Sequence, residues 1–590
     1  MIQTGYKKHK TRLLTVLLGC FVSLSSSCSS GGGDDSVPKS EPAFQENIDG
    51  IRIAWDYSSR VKIAPASDQS PGYYGYARMR ELHDGRLACV YETSFGNIEL
   101  VISDDKGASW GQRQTVFANE NNIAMAVPDL IELSDHSLLV ACNPRPRQPY
   151  SDDRKFGIKV RKSPDGGETW TEEQEIYQAQ SIFEDGCWEP SFVQLPSGEV
   201  QLFFANEGVF TSSSEQNISM FRSLDNGDSW TAEPVVVGFR QGRRDGMPVP
   251  LLLEDKSEIL IAVEDNKVGE FKPAIYREKV ANNWSDGFIS ADDSRRSYHP
   301  LSDRLSDHIY AGAPYLARLE TGEVLLSYQT TQNRSNQWDL SSMAVEIGDE
   351  SGLLFGNRTI PFDVLITRRG LWNSLAVIDS NTPVAITSTD AWSTNSVQVW
   401  MIKGHVIPEY TIQQGTATVD GQLDDACWYG EWPYFEGHKG VSRMYATLSK
   451  DQTNLYLAGR IEEADFASSG TNEIVLHIDT ERKGYEKPHQ GIFAIHCPTD
   501  GAISIEEGSF GEWKSIESVS GVDYKVAQSG SSYFLELAIP LSVFHSEFTT
   551  GKNMGINFQL NYRSKSGSLI QESMATDEPG KPYSWSPLIF

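Results

Sequence analysis

Apolar and polar positions between residues 49 and 406 alternate with a period of two, and almost nowhere with the 3.6-residue period of an amphipathic helix. Six times an apolar strand runs into a short polar turn and a second apolar strand follows. The openings are Tyr76–Leu82, Ala126–Ile131, Trp188–Phe192, Gly246–Pro250, Ala313–Leu316 and Leu371–Leu375, with turns such as His83-Asp84-Gly85 and Pro196-Ser197-Gly198. A second pattern, S-x-D-x-G-x-[ST]-W, recurs at 103–110, 163–170 and 223–230, so Trp110, Trp170 and Trp230 fall 60 residues apart. Its Asp is expected to accept hydrogen bonds from its own turn, its Gly to supply a backbone angle other residues resist, and its Trp to plug the space between sheets. Multi-strand repeats of this kind predict an all-β six-bladed propeller over 49–406, with Ile51–Trp55 closing the ring.

A composition shift over 408–415 marks the end of the repeats, and strand-like runs continue at Asn454–Ala458, Glu473–Asp479 and Tyr533–Pro540. The segment Val419-Asp420-Gly421-Gln422-Leu423-Asp424-Asp425-Ala426-Cys427-Trp428 resembles the opening of family-9 carbohydrate-binding modules. The resemblance implies that 416–590 is an antiparallel β-sandwich following the propeller. Trp428 is expected to pack that sandwich, while Trp432, Trp513 and Trp585 are candidates for a sugar platform. The acids of 420–425 offer hard oxygen ligands for a structural calcium ion, with turn capping as the commoner use.

At the other end, Lys7, Lys8, Lys10 and Arg12 precede an apolar run from Leu13 to Leu24. This reads as an export signal, too short to span a bilayer as a mature helix. The stretch Leu24-Ser25-Ser26-Ser27-Cys28 resembles a bacterial lipoprotein signal over 1–28. It implies lipidation of Cys28, a flexible tether over 29–48 and attachment to the outer membrane, at the cell surface or facing the periplasm. Leu17-Leu18-Gly19-Cys20 is a competing site, and a plainly cleaved signal is the alternative. Cys89, Cys142, Cys187, Cys427 and Cys497 lack paired spacing and are expected as buried free thiols rather than a disulfide framework or metal site.

The chain carries 51 Lys and Arg against 80 Asp and Glu, a formal charge of -29. That field argues against nucleic acid as a partner, and a polyanionic substrate would need a local basic pocket. No nucleotide glycine loop, H-E-x-x-H or paired C-x-x-C is present. No metal or cofactor is expected for catalysis, and a monomer is expected.

In a propeller the innermost strand of each blade begins on the face where the second strand ends, so both positions converge on one funnel. This selects Arg78, Asp129, Glu189, Tyr315 and Asn373 from strand starts, and Glu92, Glu264 and Asp390 from strand ends. Two carboxylates near a common axis suit hydrolysis of a glycosidic bond, one protonated as acid and the other ionised as nucleophile or base. Glu189, between Trp188 and Pro190, has an apolar setting that raises its pKa. Glu264 ends the apolar run Ile259–Val263, and the alternative is that such acids are solvated rim residues. Tyr73, Tyr74, Trp188, Tyr315 and Trp372 are suited to stacking on sugars.

Cys187-Trp188-Glu189-Pro190, Arg244-Asp245-Gly246-Met247-Pro248 and Ala311-Gly312-Ala313-Pro314-Tyr315 together resemble the family-93 glycoside hydrolases, exo-acting 1,5-α-L-arabinanases on a six-bladed propeller. The resemblance covers about 70–400 of the sequence. It implies Glu189 and Glu264 as the catalytic pair, Tyr315 as a further catalytic residue, and a terminal sugar of an oligo- or polysaccharide as substrate. Arg78, Asp129, Trp188, Arg244, Asp245, Trp372 and Asn373 are the expected substrate contacts. Sialidases share the repeat, with a tyrosine nucleophile and three arginines. Arg78, Arg243 and Arg244 furnish part of such a clamp, with no convincing third member in blade five. A glycan-binding lipoprotein without catalysis is the remaining alternative.

Overall fold

A computed structural model describes residues 52–64, 72–267, 269–302, 304–393, 396–407, 410–430, 432, 434–436, 440–482, 487–517, 519–545, 548–574, 582 and 585–590. The expected signal, Cys28 and the tether lie outside the described residues.

Six four-stranded antiparallel sheets form the first architecture. Their innermost strands are Tyr74–Glu81, Ile123–Glu132, Cys187–Gln194, Asp245–Leu252, Ala311–Arg318 and Gly370–Ile378, which define blades 1 to 6. Each innermost strand touches those of the blades before and after it, and blade 6 touches blade 1, so the ring is closed. Blade 6 is completed by the first strand among the described residues, Arg52–Lys62, whose Arg52 pairs with Ile407. The fold is therefore the predicted six-bladed propeller, whose radial repetition leaves only short sheet edges, protected by the neighbouring blades.

The recurring turns between third and fourth strands explain the spacing of the tryptophans. Asp105 accepts hydrogen bonds from the Ser109 amide at 2.8 Å and from its hydroxyl at 2.6 Å. Asp225 repeats this with Ser229, and Asp165 does so with Thr169. Gly107, Gly167 and Gly227 hold φ of 88°, 99° and 84°, open only to glycine at low cost. Trp110 packs with Met401 and Ile378 of blade 6, so this turn seals the junction between the first and last blades.

Two further sheets make up the second architecture. One runs through Asn553–Arg563, Glu473–Asp479 and Ile492–Pro498, the other through Arg443–Lys450, Asn454–Glu462 and Ser532–Pro540. Leu448, Leu457, Leu476, Phe493, Leu537 and Phe558 fill the space between their faces, a β-sandwich core. Trp428 is buried and donates its indole N–H to Glu536 at 2.9 Å. All five described cysteines are buried free thiols.

Candidate active site

Every innermost strand carries a bulge at the same place. Pairing with the second strand slips between Gly75 and Arg78, Ala126 and Asp129, Trp188 and Ser191, Gly246 and Val249, Gly312 and Tyr315, and Leu371 and Ser374. The first residue of each bulge is left-handed: Tyr76, Val127, Glu189, Met247, Ala313 and Trp372 have φ between 48° and 56°. Four of the six are followed by proline, whose missing N–H costs nothing at a position the ladder leaves unpaired. Non-glycine residues in this conformation cost about 1–2 kcal/mol each, so six-fold repetition marks a rim on which strain is concentrated.

The second strand supplies a clamp for the strained residue of the next blade. Opposite the bulges stand Glu92, Asn143, Ala205, Glu264, Gln329 and Ser388. Glu92 accepts the Val127 amide at 2.8 Å, Glu264 the Ala313 amide at 3.2 Å, and Gln329 the Trp372 amide at 2.8 Å. Blade 3 has only Ala205 there, and Glu189 takes over by accepting the Met247 amide. A Cβ on Gly246 would come within 3.2 Å of Glu264 Oε1. Glu189 and Glu264 thus reach successive residues of one peptide, Gly246-Met247, from adjacent blades.

Burial pushes the Glu189 carboxyl up to about 7, with the Glu264 charge adding and Arg145, the Met247 amide and Arg244 opposing. Burial raises Glu264 as well, against the Ala313 amide and Arg244. Both directions favour the protonated form, so the two acids compete for ionisation and titrate as a pair. Glu189 keeps an opening to solvent, while Glu264 is buried.

Beneath this rim lies a second layer, two residues further along the strands. Arg80 donates to the Tyr315 hydroxyl at 3.1 Å, and its other nitrogen lies 3.7 Å from Asp129. Asp129 also accepts the Phe192 amide at 2.8 Å and the Ser191 hydroxyl at 3.2 Å. The Arg78 guanidinium stands 4.8 Å over the Tyr315 ring. These contacts join blades 1, 2, 3 and 5 across the axis. The bulge is why residues expected at one level occupy two: Glu189 and Trp372 stand on the rim, Arg78, Asp129 and Tyr315 below it.

No family model matches this chain, and no curated protein does. Among solved structures, it is similar to an α-L-arabinofuranosidase of Fusarium graminearum solved with an iminosugar inhibitor, at 19% identity over 58% of this chain and 97% of that one, TM-score 0.45. A Penicillium chrysogenum α-L-arabinanase complexed with arabinobiose gives 16%, the same coverages and TM-score 0.44. The C-terminal part is similar to a family-9 carbohydrate-binding module of Caldicellulosiruptor kristjanssonii in complex with cellotriose, at 15% identity over 31% of this chain and 92% of that one, TM-score 0.25.

The other expected contacts divide between site and scaffold. Trp372 stacks on Tyr76 at 4.6 Å and 15°, an aromatic pair on the rim. Arg244 pairs with Glu207 and acts on both glutamates. Trp188 is buried against Phe156 and Phe183, with Arg145 4.9 Å over its other face. Asp245 is enclosed: it binds Arg240 at 2.6 Å, Arg296 at 2.8 Å and the Tyr276 hydroxyl at 2.5 Å, a cluster that fastens blade 4 internally. Asn373 is buried and donates to the Gly370 carbonyl at 3.3 Å. Asp390 accepts the Arg369 amide at 3.2 Å and lies 3.5 Å from Arg368. The three arginines offered for a carboxylate clamp do not converge, since Arg243 is exposed and bonds the Asn266 carbonyl while Arg78 stays in the lower layer.

Sequence reasoning missed Tyr76, Arg80 and Arg145. Arg145 is held by Asn143 at 2.6 Å and is the strongest opposing influence on Glu189. In the sandwich, Trp585 is fully enclosed beside His477, at 5.1 Å between rings, so its expected role as an exposed sugar platform is corrected to packing. Trp513 and Trp432 remain partly exposed. The Asp420 and Asp425 carboxylates cap their own turn, accepting the Gln422 and Thr418 amides at 2.8 and 2.7 Å.

Proposed function

We propose that this chain is a glycoside hydrolase removing terminal sugar units from a polysaccharide, and specifically an exo-acting α-L-arabinanase working with retention. The observation that carries the reading is the meeting of Glu189 and Glu264 at one peptide, with burial holding a proton on Glu189 up to about pH 7 and raising Glu264 as well. One carboxyl then protonates the leaving oxygen while the other attacks or assists attack at the anomeric carbon. Reaching successive residues of Gly246-Met247 favours the short carboxyl separation of retaining enzymes, about 5 Å, over the wider gap that admits a water. The Tyr76–Trp372 stack supplies an apolar surface for a sugar ring, and Arg145 and Arg244 tune the acids. Arabinan as substrate rests on the sequence resemblance around Glu189, Asp245 and Tyr315.

Product analysis on arabinan, aryl α-L-arabinofuranosides and sialosides tests the proposal. Arabinose or short arabinan products are expected from the native chain, and Glu189→Gln and Glu264→Gln should each lower kcat/KM by about 10³-fold or more without lowering Tm. Full activity in both variants would refute the pair. Release of sialic acid, or binding without product, would assign the site to another chemistry.

A further inference from the structure

We propose that His83, Glu132 and His136 form a binding site for a divalent transition ion, zinc in the first place, which clips blade 1 to blade 2 on the face opposite the glutamates. His83 lies in the turn after Tyr74–Glu81, whereas Glu132 ends Ile123–Glu132 and His136 lies in the turn that follows. Both turns stand at the far ends of strands whose starts carry the bulges. The site is therefore separate from the rim.

The three side chains already converge. Each presents a ligand atom, and these atoms lie within 4.8 Å of one another, the only such group among the described residues. His83 Nδ1 is 2.7 Å from Glu132 Oε1, and the His83 backbone N–H donates to Glu132 Oε2 at 2.8 Å, which orients the carboxylate. The two imidazoles stack at 3.8 Å between centroids, 26° apart. Tetrahedral bonds of about 2.0–2.1 Å place ligand atoms about 3.3 Å apart, so small side-chain rotations bring the three onto one ion. Both histidines are exposed and free to make them. Two imidazoles and one carboxylate, with a position left for water, suit zinc and its neighbours better than the hard ions calcium and magnesium.

A second observation lies in the backbone. In five sister turns the amide of one residue bonds back to a leucine: Gly85 to Leu82, His136 to Leu133, Gly198 to Leu195, Lys256 to Leu253 and Gly322 to Leu319. Three of these positions are glycine with φ between 84° and 111°, and two keep a side chain there, Lys256 at φ 59° in blade 4 and His136 at φ 66° in blade 2. A left-handed histidine is disfavoured relative to glycine, and an exposed imidazole recovers little by packing. At His136 the side chain that bears this cost faces His83 across the blade junction. Neighbouring acids add a favourable field without competing for the ion, since Asp84 pairs with Arg86 and Asp135 accepts Ser137 and Asn226.

Because the ligands come from two blades, an ion bound here favours the closed ring. At one hundred times its Kd it raises the folded-to-unfolded ratio about 100-fold. The test titrates zinc chloride alone into the chelator-treated full chain by isothermal titration calorimetry and follows Tm by scanning calorimetry. One equivalent bound and a Tm raised by a few degrees are expected, with magnesium chloride giving neither. His136→Gly installs the residue of three of the sister turns and should fold at least as well, yet weaken zinc binding 100-fold or more and abolish the Tm rise. His83→Ala should do the same to binding. Absence of stoichiometric binding in the native chain, or undiminished binding in both variants, overturns the proposal.

Discussion

Replacing Glu189 by glutamine should make the propeller more stable, and increasingly so as the pH rises. The native carboxyl is carried from an ordinary 4.5 to about 7, burial being the largest cause. At about 1.4 kcal/mol per pH unit this corresponds to about 3 kcal/mol by which the folded chain disfavours the ionised form. The sign follows from linkage. Below pH 4.5 the acid is protonated in folded and unfolded chains alike, and its full contribution is present. Between 4.5 and 7 the unfolded chain ionises first, so stability is lost as the pH rises through the folded value. Glutamine retains an acceptor for the Met247 amide and has no charge to desolvate, so loss of activity in this variant comes with a gain in stability. Urea unfolding of native chain and Glu189→Gln, followed by propeller tryptophan fluorescence from pH 4 to 8, isolates this contribution. The gap between them should widen by up to about 3 kcal/mol, in favour of the variant, and level off above pH 7. A gap independent of pH would refute the reasoning, because it would mean that Glu189 ionises as freely in the ring as in water.

Arg145→Met removes the largest influence opposing that rise, so the limb of the pH–rate profile governed by Glu189 should move to higher pH by about one unit or more; an unmoved limb counts against the coupling. Gly312→Ala sets a Cβ 2.8 Å from Glu264 Oε2 and closer still to the Tyr310 ring and hydroxyl, so both side chains have to shift. A displacement of order 1 Å should lower kcat about 100-fold with Tm nearly held, measured by initial rates and scanning calorimetry.

The blades were legible because each announces itself locally. Ser103–Trp110 and its two copies encode a turn in eight residues, and alternation does the same for strands. Glu189 and Glu264 were legible for a related reason, as ionisable residues at apolar strand termini. The depth of the other residues was not legible. A single bulge separates Glu189 from the level of Tyr315, and nothing in Trp188–Ser191 or Gly312–Tyr315 announces a slip in pairing. Arg80 and Tyr315 meet across 235 residues, so neither carries a local trace of the other. Arg145, between two prolines, reads as loop, yet it bears on Glu189 from the neighbouring blade. Trp585 reads as a free aromatic near a terminus, and only the sandwich packing encloses it.

Arg52–Lys62 pairs with Gln398–Ile407, so the earliest-synthesised of the propeller's described strands waits for the last before the circle is joined. Until about residue 407 is available, blade 6 has an exposed edge and Trp110 lacks its packing against Met401. Assembly of this barrel-shaped wheel is thus governed by its longest-range hydrogen-bonded ladder, a slow kind of step. Shortening the amino-terminal side past residue 62 should leave a sticky, unzipped rim prone to self-association, whereas trimming after residue 407 leaves the circle's own seam intact.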